Sequence, residues 1–107
     1  MSTHFTIVTF AYDLTSEANL NAEFKTVLEG LDWTYEISNT KFPQTTCLKM
    51  YDAEVSIDES LKLATREVKA VVKKFREQGF KNFNVERYFF LGHKTDSADA
   101  AFGENLV

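Results

Sequence analysis

Residues 4–12 read His-Phe-Thr-Ile-Val-Thr-Phe-Ala-Tyr, a run of β-branched and aromatic side chains that reads as a strand. Its alternating sets are Phe5, Ile7, Thr9, Ala11 and Thr6, Val8, Phe10, Tyr12. Both sets carry apolar bulk, as expected of a central strand covered on both faces. Asp13 to Glu17 then supply turn residues, with Thr15 or Ser16 placed to cap a helix. Leu20, Phe24, Val27, Leu28 and Leu31 fall on one helical stripe over 17–31, and Gly30 suits a left-handed helix end.

Downstream, Trp33 to Ser38 alternates Trp33, Tyr35, Ile37 against Thr34, Glu36, Ser38, the pattern of a half-buried second strand. A connection holding the one proline, Pro43, leads to a third strand over Thr45–Tyr51. Ser56 followed by Glu59 forms a capping box that starts a second helix at Ile57. Its apolar stripe runs through Ile57, Leu61, Ala64, Val68, Val71, Val72 and Phe75, and Gly79 ends it. Asn82 to Leu91 reads as a fourth strand whose alternation slips near Arg87, where a bulge is expected. The order strand, helix, strand, strand, helix, strand predicts an α+β, ferredoxin-like split βαβ (βαββαβ) fold. Four antiparallel strands carry both helices on one face. The first and third strands are expected side by side at the centre and parallel. The domain spans 1–92, and a polar tail covers 93–107.

The chain has 107 residues, enough for one domain with a two-layer core. With 44% hydrophobic and 26% charged residues it is ordinary globular material, neither disordered nor collagen-like. No apolar run is long enough for a membrane span, no signal peptide is visible, and a lone Cys47 fits a reducing cytoplasm. Cys47 reads as a packing residue, and His4 and His93 as ordinary satisfied or exposed histidines.

Charge is distributed unevenly. The net charge is −4, yet residues 57–81 hold seven bases against four acids. Lys62, Arg66, Lys69, Lys73 and Arg76 project within roughly 80° of one another on the second helix. Like charges at this spacing do not favour the isolated helix, so the stripe is a candidate for gripping phosphates or an acidic protein. The rest of the molecule is acidic and repels nucleic acid and anionic lipid.

With helices on one face only, the other face is left without a layer. Phe10, Tyr12, Tyr51, Tyr88 and Phe90 are the aromatic side chains assigned to it, as the face of a homodimer. The tail residues Phe102, Leu106 and Val107 are a competing cover. A base-stacking platform is disfavoured, because Thr45–Tyr51 carries no glycine and one stacking ring. Parallel central strands would also bring Asp13 and Asp52 to one sheet edge with Glu54 nearby, a hard-cation site for Mg²⁺ or Mn²⁺. Capping is the alternative role for these carboxylates.

Tyr12-Asp13-Leu14 at the end of the first strand resembles the CRISPR-associated adaptation nuclease-like (Cas-two) group, whose fold the GhoS-type antitoxin endoribonucleases share. The resemblance implies a metal-linked catalytic carboxylate at Asp13, with Tyr12 beside it, near a two-fold axis. The acidic first helix (Glu17, Glu23, Glu29) departs from that pattern. The leading expectation is therefore a non-catalytic, homodimeric binding module with a macromolecular partner, protein rather than nucleic acid, and no cofactor. A metal-dependent endonuclease is one alternative. A small-ligand binder with a pocket of Tyr12, Trp33, Tyr35 and Tyr88 is the other.

Overall fold

The computed structural model describes residues 5–15, 20–37, 39–43 and 45–95. The elements are β1 (Phe5–Leu14), α1 (Asn21–Gly30), β2 (Glu36–Ile37), β3 (Thr40–Lys41), β4 (Thr46–Asp52), α2 (Ile57–Glu77) and β5 (Val85–Thr95). Among the described residues the main sheet has three strands in the order β4-β1-β5, and β2 and β3 form a separate two-stranded hairpin. The result is a mixed α+β fold with two helices and antiparallel strands.

β1 is central, as its two-sided apolar pattern predicts, but both neighbours run antiparallel to it. The expected parallel pairing with the third strand is corrected on topological grounds. α1 carries the chain back across the sheet, so residues 33–37 run with β1. The hairpin then reverses the chain once, and β4 must run against β1. The expected second strand is split: it meets the main sheet at one reciprocal pair, in which Thr34 N donates to Leu48 O at 2.8 Å and Leu48 N to Thr34 O at 3.0 Å, while Glu36–Ile37 pairs with Thr40–Lys41 in the hairpin. Asn39, at φ 66°, takes a left-handed conformation at the hairpin turn.

Helix boundaries follow local chemistry closely in α2 and less so in α1. Ser56 Oγ accepts from Glu59 N at 3.1 Å, and Gly79 sits at φ 112° just past the helix. Behind α1 the left-handed residue is Asp32 (φ 73°) rather than Gly30. Leu20 precedes α1 without a side-chain cap. Thr15 instead accepts from Asn84 N at 3.2 Å, tying the end of β1 to the start of β5. The predicted bulge is present: Asp13 pairs with Arg87 and Leu14 with Val85, leaving Glu86 as the extra residue. β5 runs on through His93–Thr95, three residues past the expected domain end. His4, Ser16 and the tail residues Phe102, Leu106 and Val107 lie outside the described residues.

Even-numbered β1 residues Val8, Phe10 and Tyr12 pack under the helices with Phe24, Leu28, Val68, Val72 and Phe75. Register puts Cys47, Lys49 and Tyr51 of β4 and Tyr88 and Phe90 of β5 on that same side. The expected dimer face of Phe10, Tyr12, Tyr51, Tyr88 and Phe90 is thus the helix-covered face. Of these five only Tyr88, at 65%, is widely exposed. Both β1 sets were apolar, and large rings are what fills the gap between a sheet and its helices. The opposite face carries Ile7, Thr9 and Ala11, Leu48 and Met50, and Phe89 and Leu91; Ile7 and Leu48 are buried there, and Met50 is 40% exposed. Phe89 and Leu91 are 57% and 49% exposed.

A polar clamp sets the roll of α2. Glu67 Oε1 accepts from Trp33 Nε1 at 2.7 Å and from Lys49 Nζ at 2.9 Å, and Lys49 also donates to Leu31 O at 2.8 Å. Turning Glu67 toward β4 turns the basic stripe toward β5.

Candidate functional site

α2 lies antiparallel against β5, and Gly92 permits the approach. A Cβ there would meet Ile57 Cγ2 at 3.0 Å and Leu61 Cγ at 3.2 Å. From that contact the helix and strand run side by side to Arg76, whose Nε donates to Phe83 O at 2.7 Å. Leu61 to Arg76 spans roughly 22 Å of helix and Gly92 to Val85 roughly 23 Å of strand, so the two keep step.

Between them opens a groove of about 200 Å³. Phe10, Val68, Val72, Val85 and Phe90 form its floor, and Thr65, Lys69, Lys73, Arg76, Asn84 and Tyr88 its rim. Phe90 stacks on Phe10 with centroids 4.5 Å apart and planes within 10°, and Tyr88 tilts against Phe90 at 5.6 Å. Toward the start of α2 the groove continues as a shallow trough along Leu61, Lys62, Thr65, Arg66 and Lys69.

All five stripe residues are exposed on this side of α2. Lys62 is paired with Asp58 at 3.1 Å, and Arg76 is anchored to the Phe83 carbonyl. Among the described residues Arg66, Lys69 and Lys73 have no carboxylate partner. Two uncompensated cations, Lys69 and Lys73, therefore border an apolar, aromatic-floored groove, and Arg66 lines the adjoining trough. The sequence showed the cations. It did not show that Tyr88 and Phe90 flank them, because that requires the packing of α2 on β5.

The proposed metal site does not assemble. Asp52 is opposite Phe5 at one end of β1, and Asp13 is opposite Arg87 at the other. Eight residues at about 3.4 Å each put them roughly 27 Å apart, so they cannot share an ion. Glu54 stays beside Asp52, whose Oδ1 accepts from Glu54 N at 2.9 Å in a turn. Asp13 Oδ2 pairs with Arg87 Nη2 at 2.9 Å across the strands. Among the described residues no three His, Cys, Asp or Glu side chains gather in one place.

The proposed four-aromatic pocket is also divided. Trp33 is 2% exposed and committed to Glu67, and Tyr88 belongs to the α2–β5 groove. Tyr12 and Tyr35 remain together, their hydroxyls 2.7 Å apart. They line a separate cavity of about 570 Å³ with Asn21, Lys25, Lys41 and Thr45. Burial pushes the Tyr12 phenol up to about 12 and raises Tyr35 still further. Burial likewise pushes the Cys47 thiol up to about 12, so it stays protonated at neutral pH and lacks the thiolate a nucleophile needs.

No family model, curated protein or solved structure matches this chain.

Proposed function

We propose that this chain is a small, non-catalytic binding module that receives an acidic protein partner in the α2–β5 groove and pairs with a second copy through the sheet face opposite the helices. One observation carries the binding half: Lys69 and Lys73 stand unneutralised beside an open groove floored by Phe10 and Phe90, and Arg66 lines the trough that adjoins it. A stripe that only solvated the helix would not need an adjacent apolar trough. An interface core with a charged rim is built in this way. The dimer half rests on Phe89, Leu91 and Met50, exposed together on the face opposite the helices. The reciprocal Thr34–Leu48 pair on the outer side of β4 supports a ferredoxin-like reading, with residues around Thr34 as a vestigial fourth strand.

The nuclease alternative leaves Asp13 as a single carboxylate already engaged by Arg87, so we do not adopt it. Small-ligand binding retains one specific support, the cavity that Lys25 and Lys41 line together with Tyr12 and Tyr35; that chemistry suits a small anion.

The deciding experiment is affinity capture from the native host with the parent chain and with Lys69→Glu/Lys73→Glu. Both positions are exposed, so the variant should keep its circular dichroism and melting point while losing its acidic partners. Equal capture by both chains would remove the groove from the account.

A further inference from the structure

β5 is an outer strand of the main sheet, and its far edge is unpaired among the described residues. The direction of its backbone groups follows from β1. Tyr12 N donates toward β4, to Thr45 O at 3.1 Å. Strand residues alternate sides, so the odd-numbered residues of β1 address β5 and bond Phe89, Leu91 and His93. Tyr88, Phe90, Gly92 and Lys94 therefore direct their N–H and C=O groups outward. This gives about 20 Å of free edge.

Natural edges are blunted by proline, by bulges or by inward charges. β5 has no proline, its bulge lies at Glu86 before this stretch, its one lysine, Lys94, sits at the far end with Nζ donating to Ala53 O at 2.7 Å, and Phe89 and Leu91 are apolar and exposed. A strand added here would lie about 4.8 Å beyond β5. Its side chains on the helix side would meet Arg66, Lys69 and Lys73, and those on the opposite side would continue the apolar surface of Phe89 and Leu91.

We propose that the free edge of β5 takes up, as an added strand, an extended peptide segment of another protein that alternates acidic and apolar residues. This mode deepens the groove reading above and rests on it. It uses main-chain bonds for affinity and alternate side chains for choice of partner. A second copy fits this edge poorly, because antiparallel β5–β5 pairing would set two basic stripes on the same side of the joined sheet. Nucleic acid fits poorly as well. A phosphodiester chain has no regularly spaced N–H donors for the outward carbonyls, and the molecule is acidic overall.

The test uses a capped decapeptide alternating Glu and Val, and two versions N-methylated on one or the other alternating set. Titration is followed by calorimetry and by amide exchange. The expected result is binding of the parent peptide, slowed exchange at Phe90, Gly92 and Lys94, and a loss of about tenfold or more for one methylated version only. If both methylated versions bind like the parent while Lys69→Glu/Lys73→Glu abolishes binding, strand addition is overturned and the groove survives. No binding of the parent peptide, or binding indifferent to the charge reversal, overturns both. Tighter binding of an oligodeoxythymidylate of equal charge also overturns the proposal, in favour of a nucleic-acid partner.

Discussion

Glu67→Ala probes the clamp that aims the basic stripe. In the parent, the carboxylate accepts from Trp33 Nε1 at 2.7 Å and from Lys49 Nζ at 2.9 and 3.2 Å. Removing it orphans an indole N–H in a side chain that is 2% exposed, at a cost of about 1–3 kcal/mol. It also strips Lys49 of its counter-ion. Breaking a fully buried pair costs about 3–5 kcal/mol, but the side chains here are 15% and 28% exposed and Lys49 keeps the Leu31 carbonyl. A net loss of about 2–4 kcal/mol follows, or a fall of roughly 1–2 M in the urea midpoint at unchanged slope. Trp33 is the only tryptophan, so its emission reports on the clamp directly. Adding Lys49→Met to Glu67→Ala should cost less than the sum of the single changes, with a coupling of about 1 kcal/mol or more. If Glu67→Ala unfolds within about 0.5 kcal/mol of the parent, the clamp does not hold α2.

Two further outcomes follow from the burial pattern. Light scattering at high micromolar concentration should give twice the 12.3 kDa chain mass, and Phe89→Glu/Leu91→Glu should return the single-chain mass without loss of helix. A parent that scatters as one chain would remove the open face as a dimer contact. In alkali, Cys47, Tyr12 and Tyr51 have folded values near 12 against 9.0, 10.0 and 10.0 unfolded, burial being the main cause in each. The folded chain thus keeps protons that the unfolded chain releases. The associated stability is full below about pH 9 and falls as pH rises toward 12, by about 1.4 kcal/mol per pH unit for each proton. Urea midpoints should trace that fall, and Cys47→Ala should flatten it between about pH 9 and 10; an unchanged slope there would show that the thiol is not shielded.

How much was legible varies by element. Ser56 with Glu59, the α2 stripe and Gly79 located α2 without tertiary information, because capping bonds and helical periodicity are local. The same holds for β1 as a central strand and for the slip near Arg87. Trp33 and Tyr35 alternate and are buried, yet their segment joins the main sheet at a single pair and otherwise folds back into the hairpin. Alternation reports which side chains turn inward and says nothing about whether a neighbouring backbone is within bonding reach. The misplaced dimer face has a similar origin: β1 is apolar on both sides, so parity could not say which set the helices would cover.

For the site, the sequence by itself determined that five cations share one face of α2 and that the surrounding chain is acidic, since helical spacing and charge are properties of the linear order. Tertiary structure alone decided what those cations border. Antiparallel pairing moved Asp13 and Asp52 to opposite ends of β1, and Gly92 let α2 settle against β5, bringing Lys69 and Lys73 beside Tyr88 and Phe90. Such juxtapositions depend on strand direction and helix roll. Both are set by contacts between residues far apart in the chain, and no local pattern encodes them.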